Sequence, residues 1–116
     1  MPHIILELSP NIIETQYDDI LLQINKTLVE NLPTKLDSCK GRVIFHKNFL
    51  VGDGNEYNAF IHANIEVLSG RSDEVLEFTS QKIINLLQIL FHESIKLLNP
   101  AISVSIRILP KAYQKN

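Results

Sequence analysis

The sequence predicts an α+β fold in which two consecutive βαβ units form a four-stranded sheet with two helices on one face. Two observations carry that prediction. Apolar spacing runs strand, helix, strand and then repeats the same order, and the turn-forming run Gly52-Asp53-Gly54-Asn55 separates the two passages. A length of 116 residues suits one domain spanning 1–116, with a first half at 1–51, a second at 57–109 and a tail at 110–116.

Residues 2–8 alternate, with Pro2, Ile4, Leu6 and Leu8 on one side and His3, Ile5 and Glu7 on the other, which reads as a strand buried on both faces. Ser9-Pro10-Asn11 ends it. Tyr17, Ile20, Leu21, Ile24 and Leu28 fall at helical spacing, and Thr15 and Asp18 suit an N-terminal cap, so a helix over about 15–31 follows, stopped by Pro33. Val43, Phe45, Phe49 and Val51 predict a second strand over 42–51, and the glycine-rich run after it predicts a hairpin turn. The third strand, about 57–68, places Ala59, Ile61, Ala63, Ile65 and Val67 on one face.

Gly70 permits a tight turn, Ser72 can cap, and Asp73 and Glu74 complement the helix dipole, so a long helix runs from there to about Leu98. Its wide apolar face implies burial against the sheet. After Asn99-Pro100 a fourth strand carries Ile102, Val104, Ile106 and Ile108 and is ended by Pro110. With both helices on one face, the other sheet face bears Ile5, Phe60, His62, Ser103 and Ser105. That mixture is too apolar for open water and too polar for a core. A further subunit is expected to cover it.

Composition removes several function classes. A formal charge of -2 with no Lys/Arg run offers no field for DNA or RNA. No stretch is apolar for long enough to cross a membrane, and no basic-then-apolar leader opens the chain, so the expected compartment is cytoplasmic. Cys39 is the lone cysteine. It has no partner for an internal disulfide, and beside Lys40 it reads either as an ordinary thiol or as one of lowered pKa. His46, His62 and His92 show no metal-ligand spacing.

Pro2 has two readings. It opens a strand where no ladder donor is required, or, once Met1 is trimmed, its ring nitrogen becomes a free secondary amine able to act as a base. An α-amino group ionises near 8 and falls when desolvated or set beside cations, so an amine flanked by Ile4 and Leu6 suits proton transfer at neutral pH.

Met1-Pro2-His3 through Glu7, Lys40-Gly41-Arg42-Val43, the Asp53-Gly54 turn, Tyr57-Asn58-Ala59-Phe60-Ile61-His62 and Gly70-Arg71-Ser72 together resemble the 5-carboxymethyl-2-hydroxymuconate delta-isomerase family of the tautomerase superfamily. The resemblance spans essentially the whole chain. It implies a tautomerase-like homotrimer with active sites at subunit boundaries, no cofactor and no metal, and a part in aromatic catabolism. It also implies that Pro2 carries a proton between carbons of an unsaturated 2-hydroxy or 2-oxo dicarboxylate.

Arg71 then matches the superfamily's arginine at a helix start, and Arg42 matches the second basic position of its segment; both are assigned to the substrate's carboxylate and developing negative charge. Lys40 stands where the family usually has arginine and so cannot offer a bidentate fork. Phe45 and Phe49 replace tryptophans and are expected to line the pocket, with His3 tuning or binding beside Pro2. Arg107 is a weaker candidate. The alternatives are a catalytically inactive trimeric binding or scaffold protein of the same fold, and a related proline-dependent hydratase or dehalogenase.

Overall fold

Two strands, β1 (His3–Leu8) and β3 (Asn58–Val67), occupy the middle of the sheet in the computed structural model, which describes residues 1–116. Both alternate strictly, and the core-facing residues Ile4, Leu6, Leu8, Ala59, Ile61, Ala63, Ile65 and Val67 are fully buried. Such strands belong at the centre, where both edges are paired. They run antiparallel, with Ile4 opposite Ile65 and Leu6 opposite Ala63. The outer positions go to β2 (Lys40–Phe45), parallel to β1, and β4 (Asn99–Ile108), parallel to β3, giving the order β2-β1-β3-β4.

Two helices cover the core face. In α1 (Tyr17–Asn31), Ile20, Ile24 and Leu28 are buried, and in α2 (Asp73–Leu90), Thr79, Ile83 and Leu87 are. At roughly 2 kcal/mol for each fully buried large aliphatic side chain, this shared layer is the main favourable term holding the sheet to its helices. Ser72 caps α2 as its position predicts, accepting from the Val75 N–H at 3.3 Å.

Five expectations change. The second strand covers 40–45 rather than 42–51, so Phe49 and Val51 lie outside it. β2 has a mostly exposed face and carries Lys40 and Arg42, and only Val43 is partly buried, so little apolar pattern remains to extend it. Nor do β2 and β3 form a hairpin. The turn at Gly52–Gly54 sits inside a longer connection, and β1 takes the place between the two strands.

The helix expected to reach Leu98 breaks at Phe91, and a separate α3 (His92–Leu97) follows. The cause lies far away in sequence: Glu14 accepts from the backbone N–H groups of Glu93 and Ser94, at 2.9 and 3.2 Å, and from the Ser94 hydroxyl. A carboxylate at that point satisfies donors that a continuous helix would have satisfied itself. Finally, Thr15 does not cap α1. The helix begins at Tyr17 after Gln16, without a side-chain cap.

The second sheet face is open. Along it run rows of cross-strand neighbours: Lys40, His3, Glu66 and Arg107 in one, Arg42, Ile5, Asn64 and Ser105 in the next, and Ile44, Glu7, His62 and Ser103 beyond. Its strand residues are half-buried or exposed rather than closed off, so within one chain β1 is buried on one face only. No helix is long and apolar enough to cross a membrane.

Candidate active site

The parallel pairing of β1 with β2 sets the site's position. Lys40 lies opposite His3, and its backbone N–H donates to the Pro2 carbonyl at 3.0 Å, so the Lys40-Gly41-Arg42 segment starts where β1 starts. Gly41 faces the core between the two cations. A Cβ there would stand 3.0 Å from Leu21 Cδ2, so the glycine lets α1 approach while its neighbours project to the open face. Because β3 runs antiparallel to β1, its far end returns to the same place, and Gly70, at φ +117°, turns the chain so that Arg71 arrives there too.

Pro2 is buried and Met1 half-buried. The amino group at this end is held below the ordinary α-amine value. Loss of water to burial is the main cause, followed by repulsion from Lys115, Arg71 and Lys40, with Cys39 opposing. Lys40 Nζ approaches Met1 Sδ at 2.8 Å and donates to the Ser38 carbonyl at 3.2 Å. Arg71 donates from Nη1 to the Leu68 carbonyl at 2.8 Å and from Nη2 to the Pro33 carbonyl at 3.3 Å, while its buried Nε has no partner. These two carbonyls fix the guanidinium between the end of α1 and the end of β3.

Burial also pushes the Cys39 thiol upward despite the nearby amine and Lys40, which makes it an ordinary thiol rather than an activated one. His3 is lowered, by burial first and then by Arg42 and Lys40, against the pull of Glu66. Its ring joins Arg42 Nη1 at 3.3 Å to the Tyr113 hydroxyl at 2.9 Å.

Pro2, His3, Lys40, Arg42 and Arg71 thus meet at one end of the sheet. Phe45 and Phe49 do not join them within the chain. Phe45 pairs with Leu8, five residues along β1 from His3 and so roughly 16 Å away. It packs edge-on against Tyr17, and Phe49 packs on Phe60. Arg107 shares the row of His3 but sits two strands away, opposite Glu66. Two residues at the site had no signal in the sequence: Tyr113 and Lys115, which belong to the tail and reach the N-terminal end through the fold of residues 109–116. A group of acidic, histidine and cysteine side chains able to hold a metal ion is absent.

The family profile described as 5-carboxymethyl-2-hydroxymuconate isomerase matches residues 2–116. The chain belongs to the 5-carboxymethyl-2-hydroxymuconate isomerase family. It resembles the solved 5-carboxymethyl-2-hydroxymuconate isomerase of Deinococcus radiodurans R1 at 23% identity and a TM-score of 0.88, covering 99% of this chain and 89% of that one. A solved 5-carboxymethyl-2-hydroxymuconate delta-isomerase is similar at 13% identity and a TM-score of 0.89, with 100% and 87% covered. A macrophage migration inhibitory factor-like protein of Entamoeba histolytica shares the fold at 19% identity and a TM-score of 0.72, with 99% and 95% covered. No curated protein matches the sequence closely. Family membership supports an isomerase of the tautomerase type, and the fold is that of the tautomerase superfamily.

Proposed function

We propose that the protein is a cofactor-independent isomerase in which Pro2, freed by loss of Met1, shuttles a proton within an unsaturated 2-hydroxy or 2-oxo dicarboxylate such as 5-carboxymethyl-2-hydroxymuconate. The observation that carries this reading is the place of Pro2, buried directly behind a Met1 amino group that burial and the cations Lys115, Arg71 and Lys40 hold below its ordinary value. Once Met1 is lost, the Pro2 amine takes up a neighbouring position, where the same burial and cations favour its neutral form, the form a base requires. The amine removes a proton from the substrate, the electron pair spreads over the oxygens of a dienolate, and the resulting pyrrolidinium returns the proton to a different carbon. Nothing is consumed.

Arg71 and Arg42 are the proposed partners of the negative charge. Arg71 is the more rigid, because two carbonyls already hold it, and a preorganised cation loses least when charge develops. Loss of Met1 also removes the thioether beside Lys40 Nζ, leaving that ammonium free for a carboxylate. The wider reading is a homotrimer in the cytoplasm with no nucleic-acid or membrane partner. Support for the trimer comes from the open sheet face and from a fold neighbour described as a fused 4-OT symmetric trimer, at a TM-score of 0.75. In that assembly Phe45 and Phe49 would line a Pro2 site of a neighbouring copy, since they are remote from Pro2 in their own chain.

Three measurements test the reading. An intact-mass spectrum should show a chain that begins at Pro2. With 2-hydroxymuconate-type enol acids the ultraviolet absorbance should change on mixing, and Pro2→Ala should slow that change by about 10²–10⁴-fold. Full activity in Pro2→Ala, or a mature chain that keeps Met1, defeats the proline mechanism. Light scattering should give three times the 13.2 kDa chain mass, and a monomer defeats the trimer.

A further inference from the structure

The hydrogen bonds of His3 fix its chemistry, because one of its two partners is donor-only. A guanidinium has five N–H groups and no acceptor. Arg42 Nη1, 3.3 Å from His3 Nδ1, therefore donates, and Nδ1 must carry a lone pair rather than a proton. The ring is then neutral with its hydrogen on Nε2, and Nε2–H donates to the Tyr113 hydroxyl oxygen at 2.9 Å. With its oxygen accepting, Tyr113 retains its own hydrogen, and that hydrogen has no acceptor within the chain. The tyrosine ring meets the imidazole edge-on, with centroids 5.8 Å apart and planes at 78°, which holds the phenol in place without using its O–H.

From this arrangement we infer that Tyr113 is a further substrate-binding residue and His3 a positioning residue: the neutral imidazole holds the Arg42 guanidinium and the Tyr113 O–H apart, on its two edges, as separate donors for the carboxylates of the dicarboxylate substrate. The inference rests on the isomerase reading for the identity of the ligand but not on the role of Pro2. The tail is thereby part of the site. Its short polar end brings Tyr113 onto His3 and Lys115 within electrostatic reach of the N-terminal amine. The groups that face His3 are Arg42 and Lys40 from β2, Glu66 from β3, Tyr113 from the tail and the amine itself. Cations outnumber the lone carboxylate, and the lowered pKa of His3 agrees with a ring kept neutral.

The test uses cis,cis-muconate, a dicarboxylate without the 2-hydroxyl group, titrated calorimetrically into the full-length protein, together with nitrogen-15 spectra of the His3 ring. At pH 7 the spectra should show the Nε2–H tautomer. A Nδ1–H tautomer or an imidazolium overturns the inference. Tyr113→Phe keeps the ring contact and deletes only the O–H, and it should weaken muconate binding by about tenfold, the usual effect of losing a hydrogen bond to a charged group. Unchanged affinity overturns it.

His3→Leu should lose affinity as well, and His3→Asn should restore most of it, because the Asn Oδ1 can accept from Arg42 where Nδ1 does. Equal loss in both variants would reduce His3 to a packing residue. Running the titration in Pro2→Ala separates the two claims: failure of the proline mechanism leaves the Tyr113 effect in place, and failure of the Tyr113 effect leaves the proline untouched.

Discussion

The two βαβ halves are built alike and end differently. In the first, the Lys40 N–H donates to the Pro2 carbonyl where β2 joins β1, and the His46 N–H to the Leu8 carbonyl where they part. In the second, the Asn99 N–H donates to the Tyr57 carbonyl and the Leu109 N–H to the Val67 carbonyl. Pro2 and Tyr57 are therefore structural counterparts at opposite ends of the sheet. Around Tyr57 the chain closes on itself, with Asn58 Nδ2 donating to the Val51 carbonyl and the Tyr57 N–H to Asn55 Oδ1. Around Pro2 no such loop forms, and the space is bordered by Lys40, Arg42, Arg71 and Lys115 instead. One architecture thus yields a looped end and a cationic end, and the two differ both in how the chain closes and in side-chain charge.

If the halves are equal as supports, then removing core volume from either should cost the same. Leu6 in β1 and Ile65 in β3 are both fully buried on the helix-facing side. Leu6→Ala and Ile65→Ala are each expected to lower unfolding stability by about 2–5 kcal/mol in urea titrations. A loss confined to one variant would show that one half holds the sheet and the other is carried by it.

A smaller effect should separate the halves. Only the second contains a helix break secured from outside, by the Glu14 carboxylate on the N–H groups of Glu93 and Ser94. Glu14→Ala strands those donors, and Ser94 is fully buried, so a loss of about 1–3 kcal/mol is expected. Glu14→Gln should recover part of it. No loss on Glu14→Ala would mean that Phe91 packing alone divides α2 from α3.

Local signals and long-range signals were not equally visible in the sequence. The alternation of β1 and β3, the Ser72 cap and the Gly70 turn depend on neighbours a few residues apart, and each could be read directly. The strand order could not, because what sends β1 between β2 and β3 is the comparative burial of whole strands, and the glycine turn that resembles a hairpin says nothing about it. The break at Phe91 depends on Glu14, 79 positions before Glu93. At the site, Pro2, Arg42 and Arg71 could be picked out by residue type and family pattern. Tyr113 could not, since a tail tyrosine has no periodicity and its meaning comes only from contact with His3, 110 positions earlier.

The smallest expected effect bears on the cationic end and has a definite sign. His3 has a pKa below its ordinary value of 6.5 in the folded protein, because burial and the facing Arg42 and Lys40 oppose its charge. On acidification from above 6.5 the unfolded chain takes up the His3 proton first. The unfolded state then binds more protons than the native one, so stability falls as the pH drops toward the folded pKa and changes no further below it. Other groups titrate in acid as well, and the contribution of His3 is isolated by subtracting the denaturation profile of His3→Asn, which cannot ionise. The difference should be a step confined to the region below pH 6.5. The matching position at the looped end, Asn58, carries no charge to titrate, so Asn58→Ala should shift the whole profile without altering its slope in that region. A step of opposite sign for His3 would mean that Glu66, and not the cations, governs the ring, and the end of the sheet at Pro2 would then be less cationic than its geometry implies.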